Sequence, residues 1–169
     1  RQCSRLNGTV PALSDTAVRP SREIARSPRA AAPANAADRI TFQDNILAYD
    51  SGWQYPAVTE QHAYRQLRDH GAVPEGVTYL AYPWATLIDK LHRKTADLQT
   101  RLAEFRAFCA RVPKDTVKVT VCQHIKMKEE LELFRLAGAT EIFWSHATHA
   151  DRAALDRGGL RLHPFPLFP

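Results

Sequence analysis

Short apolar runs alternate with amphipathic stretches from about residue 41 onward, which is the pattern of a repeating βα fold. Residues 77–82, 117–125 and 142–144 are rich in β-branched and aromatic side chains and predict buried strands. A last short strand is predicted within residues 160–165. Segment 40–50 is compatible with either a strand or a helical turn.

Helical spacing of apolar residues separates these runs. It predicts a helix from Thr59 to a stop at Gly71, and one long helix from Leu87 through Arg111. An amphipathic helix is predicted over residues 126–137 and a short one before Gly158. Strand and helix alternation with short loops predicts an α/β domain, a Rossmann-like open parallel sheet flanked by helices and joined by right-handed crossovers.

Residues 1–38 differ from the rest in charge and composition. They hold six of the 23 Lys and Arg residues against three of the 18 Asp and Glu residues, and prolines interrupt them. We therefore predict a disordered Arg/Ala/Pro-rich leader over residues 1–38 and a Rossmann-like domain over residues 39–169. The leader lacks the apolar segment of a secretory signal. Both ends of the chain suggest a fragment of a longer protein.

Polar residues gather where the predicted strands end, which in parallel sheets is where ligands bind. Three successive strands are followed by histidines: His124 after the second, His146 and His149 after the third, and His163 in the last. A histidine can serve as a general acid or base, ligate a metal, or fill a loop. No metal site is predicted, because no acid falls at a known ligand spacing. Dinucleotide and P-loop motifs are absent from the sequence.

Four segments carry a resemblance to a known family: YLAYPWATLIDKL, VTVCQHI, EIFWSHA and LHPFPLFP. Across residues 45–169 they resemble the amino-terminal half of bacterial glycosyltransferase-like proteins of polysaccharide gene clusters, distantly similar to exostosins. These enzymes have the GT-B arrangement, in which two Rossmann-like halves face each other across a cleft. The resemblance implies an acceptor-side domain of a cytoplasmic enzyme of polysaccharide biosynthesis.

The resemblance also implies what the domain binds. The donor would be a nucleotide-sugar used as co-substrate without a further cofactor, and the acceptor a glycan or lipid-linked sugar, with peripheral membrane association. His124 would be the catalytic base or an acceptor ligand and His146 a second catalytic contact. Trp84 would wall the acceptor pocket, and the other substrate-binding candidates are Gln123, Ser145 and His149.

Two other functions fit the same sequence. One is a stand-alone flavodoxin-like binding or regulatory domain without catalysis. The other is nucleic-acid binding through the Arg-rich leader, although no specific nucleic-acid partner is predicted.

Overall fold

The computed structural model describes residues 36–156 and 158–167. Almost all of the predicted leader lies outside the described residues, which begin in a 3₁₀ turn at Ala36–Arg39. No helix in the described part of the chain is long and apolar enough to span a bilayer. The strands are β1 Ile40–Gln43, β2 Ile46–Tyr49, β3 Val77–Ala81, β4 Val117–Cys122, β5 Glu141–Trp144 and β6 Arg161–Pro164. The α-helices are α1 Val58–His70, α2 Trp84–Arg93, α3 Leu98–Cys109, α4 Leu131–Leu136 and α5 His149–Asp156.

The six strands form one sheet in the sequential order β1-β2-β3-β4-β5-β6. β1 pairs antiparallel with β2, and every later pair is parallel. The predicted class, an open parallel α/β sheet flanked by helices, is confirmed. The undecided segment 40–50 is a hairpin that turns at Asp44 and Asn45, whose φ angles are 50° and 61°. Asp and Asn tolerate this left-handed conformation, and two such residues make the turn that suits twisted strands.

The long helix predicted from Leu87 through Arg111 is wrong, because the chain forms α2 and α3 with a break between them. Lys94 ends α2 in the left-handed conformation, with φ 50°. Asp97 then accepts hydrogen bonds from the Thr95 hydroxyl at 2.8 Å and the Lys90 ammonium at 3.2 Å. Side-chain bonds of this local kind compete with the helical backbone. The helix predicted over residues 126–137 likewise divides into a 3₁₀ turn, Met127–Glu130, and α4.

The helices cover both faces of the sheet unequally. Tyr64 of α1 packs with Ala48 and Tyr79 on one face, whereas Ile88 of α2 and Phe134 of α4 pack on the other. In a sheet of sequential order, successive helices on opposite faces require connections of opposite hand. The prediction that all crossovers are right-handed is therefore wrong, since the β2–α1–β3 connection differs in hand from the β3–β4 connection. The segments that follow β2 and β3 run to opposite faces at the carboxyl edge of the sheet. This is the geometry that opens a ligand crevice.

An aromatic cluster fills the face covered by α2, α3 and α4. Trp84 is 0% exposed, stacks on Phe134 with a centroid distance of 4.4 Å, and contacts Phe105 edge to face. Its indole N–H donates to the Thr120 hydroxyl at 2.7 Å, which in turn donates to the Leu80 carbonyl at 2.7 Å. The assignment of Trp84 to an acceptor pocket is corrected, because its side chain lies in the core.

Replacing Thr120 by Val tests the hydrogen-bonded relay inside this core. Valine keeps the shape of threonine but removes the acceptor of the Trp84 N–H and the donor to the Leu80 carbonyl. We expect Thr120→Val to lower the free energy of unfolding by about 1–3 kcal/mol for each buried group left unpaired. Urea unfolding followed by tryptophan fluorescence measures the loss. Thr100→Val on the exposed side of α3 is the matched control, and equal effects of the two changes would contradict the relay.

Candidate functional site

The loops that follow β4 and β5 begin side by side at the carboxyl edge. Cys122 and Trp144 are register partners in the parallel pair, so Gln123 and Ser145 leave the sheet next to each other. The Ser145 hydroxyl donates to the Gln123 carbonyl oxygen at 3.2 Å. The Trp144 indole N–H donates to the His124 carbonyl oxygen at 2.9 Å. These two bonds tie together the loops that carry both predicted catalytic histidines.

The tautomer of His146 follows from the hydrogen bonds of its neighbour. The single hydroxyl hydrogen of Ser145 is donated to the Gln123 carbonyl oxygen, so the Ser145 oxygen is left as an acceptor. His146 Nδ1 lies 3.0 Å from that oxygen. When the ring donates to the Ser145 oxygen, its proton is on Nδ1 and its lone pair is on Nε2. The ring is half-buried and lies 5.9 Å from the Trp144 ring.

His124 has the opposite tautomer. Its Nδ1 accepts the backbone N–H of Lys126 at 3.1 Å, so the proton of the neutral ring is on Nε2. The ring lies parallel to that of His92 at a centroid distance of 6.3 Å. Burial is the main cause that lowers the pKa of His124 from its ordinary value; Asp89 opposes the shift, while His92 and Lys126 add to it. His124 is thus suited to donate a hydrogen bond, and its acceptor lone pair is already used.

Gln123, one of the predicted substrate-binding residues, caps α1. Its side-chain oxygen accepts the backbone N–H of Thr59 in the first turn of the helix. In return, the Gln123 backbone N–H donates to Glu60 Oε1 at 3.0 Å. The first turn of a helix leaves N–H groups without partners inside the helix, and here a distant strand end supplies the acceptor. The amide oxygen of Gln123 is thereby committed to the fold.

Glu60 is the residue at this edge that the sequence did not reveal. It is 1% exposed, and both its carboxyl oxygens lie 3.1 Å from the backbone nitrogen of Ala85 in α2, which donates to them. Burial raises its pKa from 4.5 to about 8, against the backbone N–H groups of Ala85 and Gln123, which favour the charged form. An acid in the first turn of a helix is ordinarily a surface residue that offsets the helix dipole. Nothing in the local pattern distinguishes Glu60 from that case.

The histidine of the last strand lies away from this edge. His163 pairs in register with Phe143, and its Nε2 is 2.7 Å from Oε2 of Glu141, the first residue of β5. The expectation that three successive strands bring a histidine to one edge is therefore wrong for His163. The structure places His149, at the start of α5, with His163 in a separate cavity.

Three cavities among the described residues avoid both catalytic candidates. One of about 470 Å³ lies between α1 and the β1–β2 hairpin, another of about 360 Å³ between α5 and β6, and a third of about 650 Å³ lies at the amino edge of the sheet. None of them is lined by His124 or His146. Within residues 36–156 and 158–167, no group of three or more His, Cys, Asp or Glu side chains is arranged to hold a metal ion.

Comparisons with protein-family models, curated proteins and solved structures find no match to this chain. The likeness to exostosin-related glycosyltransferases therefore stays a prediction from the sequence segments that carry it.

The buried carboxyl group predicts how stability depends on pH. The folded state raises the pKa of Glu60 from 4.5 to about 8, so folding favours the protonated form. Stability from this group is fully present below pH 4.5 and is lost as the pH rises toward about 8. We expect Glu60→Gln, which cannot ionise, to remove this loss. Urea unfolding at about pH 5.5, 7.0 and 8.5 measures the free energy of unfolding of the wild type and of the variant, and the difference between them reports the loss.

Glu75→Gln is the matched control, since Glu75 is exposed before β3. The amide group that Glu60→Gln introduces also changes the hydrogen bonds to Ala85, which adds an offset that does not vary with pH. The informative quantity is therefore how the difference in free energy of unfolding between wild type and Glu60→Gln changes with pH. A difference between wild type and Glu60→Gln that stays constant from about pH 5.5 to 8.5 would contradict a protonated Glu60.

Proposed function

We propose that this chain is the acceptor-side domain of a glycosyltransferase, with His146 as the general base. The observation that carries the proposal is the Gln123 carbonyl–Ser145–His146 chain of hydrogen bonds, which leaves the lone pair on Nε2. A fixed tautomer and a fixed ring are what a general base requires of its supporting residues. The sequence resemblance over residues 45–169 supplies the reaction class.

In the proposed reaction the acceptor hydroxyl lies against Nε2 of His146. That nitrogen takes the hydroxyl proton as the acceptor oxygen bonds to the anomeric carbon of the donor sugar. The bond from that carbon to the nucleoside diphosphate breaks, and its electron pair leaves with the diphosphate. His124, with its proton on Nε2, would donate a hydrogen bond to the acceptor or the donor. This reverses the roles that the sequence favoured, because the Lys126 N–H occupies the lone pair of His124.

A second candidate function is a binding domain without catalysis. It is supported by the use of predicted substrate contacts in the fold: Trp84 lies in the core and the Gln123 side chain caps α1. The three cavities described above are also not lined by His124 or His146. In this reading the hydrogen bonds around Ser145 stabilise the loops only.

Sugar transfer by the two-domain protein, in which this domain faces its donor-side half, separates the two functions. The assay measures nucleoside diphosphate release from a panel of UDP-, GDP- and ADP-sugars with oligosaccharide and lipid-linked acceptors. We expect His146→Gln to lower kcat by about 10²-fold or more, the usual contribution of a general base. His124→Gln, which retains a side-chain donor, should cost less than about 10-fold, the size of one hydrogen bond.

His70→Gln is the control, because His70 is exposed at the end of α1. Circular dichroism of each variant checks that the fold is kept. Full turnover in His146→Gln would remove His146 as the base. No transfer by the wild-type two-domain protein with any donor and acceptor would favour the binding domain.

A further inference from the structure

We propose that Asp151 is a positioning residue that, through a salt bridge to Lys128, fixes the spacing between His124 and His146. Lys128 belongs to the 3₁₀ turn that follows the loop after β4, and Asp151 lies in the first turn of α5, which follows the loop after β5. The Lys128 ammonium donates to Asp151 Oδ1 at 2.8 Å. The inference rests on the proposed function, in which the two histidines are the catalytic candidates.

The two loops that carry the histidines are joined at both of their ends. Where the loops begin, the Ser145 hydroxyl donates to a backbone carbonyl oxygen of the facing loop. Where they end, the Lys128–Asp151 salt bridge joins them again. His146 follows the first connection directly, and His124 lies in the facing loop before Lys128. Two loops joined at both ends have fewer arrangements than two loops joined only at the sheet.

The two oxygens of the Asp151 carboxylate bind different loops. Oδ2 accepts the Thr148 hydroxyl at 2.7 Å and the Thr148 backbone N–H at 3.2 Å. In return, the Thr148 hydroxyl oxygen accepts the Asp151 backbone N–H at 3.2 Å, which is the reciprocal pattern of a capping box. Oδ1 accepts the Lys128 ammonium. One carboxylate therefore caps α5 within its own loop and also reaches the loop that carries His124.

The surroundings of this salt bridge favour a fixed geometry. The Lys128 ammonium lies 5.6 Å from the centre of the Trp144 ring, within cation–π distance, and the same indole donates to the His124 carbonyl oxygen at 2.9 Å. The Asp151 side chain is only 13% exposed. Hydrogen bonds from Lys128 and Thr148 lower the pKa of Asp151 from its ordinary value, so the carboxylate is charged at neutral pH. Charge-assisted hydrogen bonds of this kind are stronger than neutral ones.

The spacing of the two histidines matters for the proposed reaction. His146 takes the proton of the acceptor hydroxyl, while His124 donates a hydrogen bond to the same pair of substrates. A displacement of about 1 Å in such an arrangement can lower the rate by about 10²-fold. Asp151 is given no contact with the reacting atoms in this scheme and acts through the loops alone. Loss of the salt bridge should therefore lower kcat and leave the KM for the acceptor unchanged.

The imidazole NMR signals of His124 and His146 in this chain test the salt bridge without a transfer assay. We expect Lys128→Met, which keeps the length of the side chain and removes the ammonium, to shift or broaden both signals. Asp151→Asn should produce the same changes together with those of a weakened α5 cap. The double variant should shift the signals no further than Asp151→Asn does, because the two changes remove one shared interaction.

Lys114→Met before β4 and Asp156→Asn at the end of α5 are the controls, because both residues are exposed and the changes of charge are the same. They should leave both imidazole signals unchanged. In the two-domain protein, Lys128→Met should lower kcat by about 10-fold or more, whereas a merely structural role would lower only the free energy of unfolding.

Three results would overturn the inference. They are unchanged signals of both histidines in Lys128→Met, equal changes in the Lys114→Met control, and an unchanged kcat in Lys128→Met. A different result separates this inference from the proposed function. If the wild-type two-domain protein transfers no sugar while Lys128→Met shifts both imidazole signals, the proposed function fails and the fixed spacing of the two histidines stands.

Discussion

The buried carboxyl group of Glu60 joins three parts of the chain that are distant in sequence. It belongs to α1, which packs on one face of the sheet, and it accepts N–H groups from the start of α2, on the other face, and from the loop after β4. A helix N-terminus and a strand end both present N–H groups without partners in regular structure. One carboxyl group satisfies both and so fixes the carboxyl edge of the sheet.

The unequal covering of the two faces decides the direction in which the loops leave this edge. α2, α3 and α4 bury a continuous aromatic cluster around Trp84, and among the described helices only α1 packs on the opposite face. The loops after β2 and β3 consequently run to opposite faces. The loops after β4 and β5 both lead to the same face, and the bond from Ser145 to the Gln123 carbonyl oxygen binds them together at their start.

Two histidines with similar sequence positions acquire different chemistry from one hydrogen bond each. Both follow a strand and a polar residue, as Gln123-His124 and Ser145-His146. The Lys126 backbone N–H occupies the Nδ1 lone pair of His124, whereas Nδ1 of His146 contacts the Ser145 oxygen. A third, His163, is held by Glu141 and stacks on Phe143. The neighbouring donors and acceptors, rather than the imidazoles themselves, decide which hydrogen bonds each ring makes.

The sequence by itself determined the alternation of strands and helices. Buried strands such as β4 require apolar side chains on both faces, and helix ends such as Gly71 carry a local signature that neighbouring residues suffice to produce. It also indicated that Gln123, His124, Ser145 and His146 follow strand ends, because strand ends are set locally. The break at Lys94 was missed, since the apolar spacing continues across it.

Only the tertiary structure decided the hand of the α1 connection, the burial of Trp84 and the role of Glu60. Trp84 and Glu60 each depend on a partner at least 25 positions away in the chain, Thr120 for Trp84 and Ala85 for Glu60. The same limit applies to His163, whose place beside Glu141 follows from the register of β5 and β6. Local pattern shows that a residue is polar or apolar; the packing of distant segments decides which groups it meets.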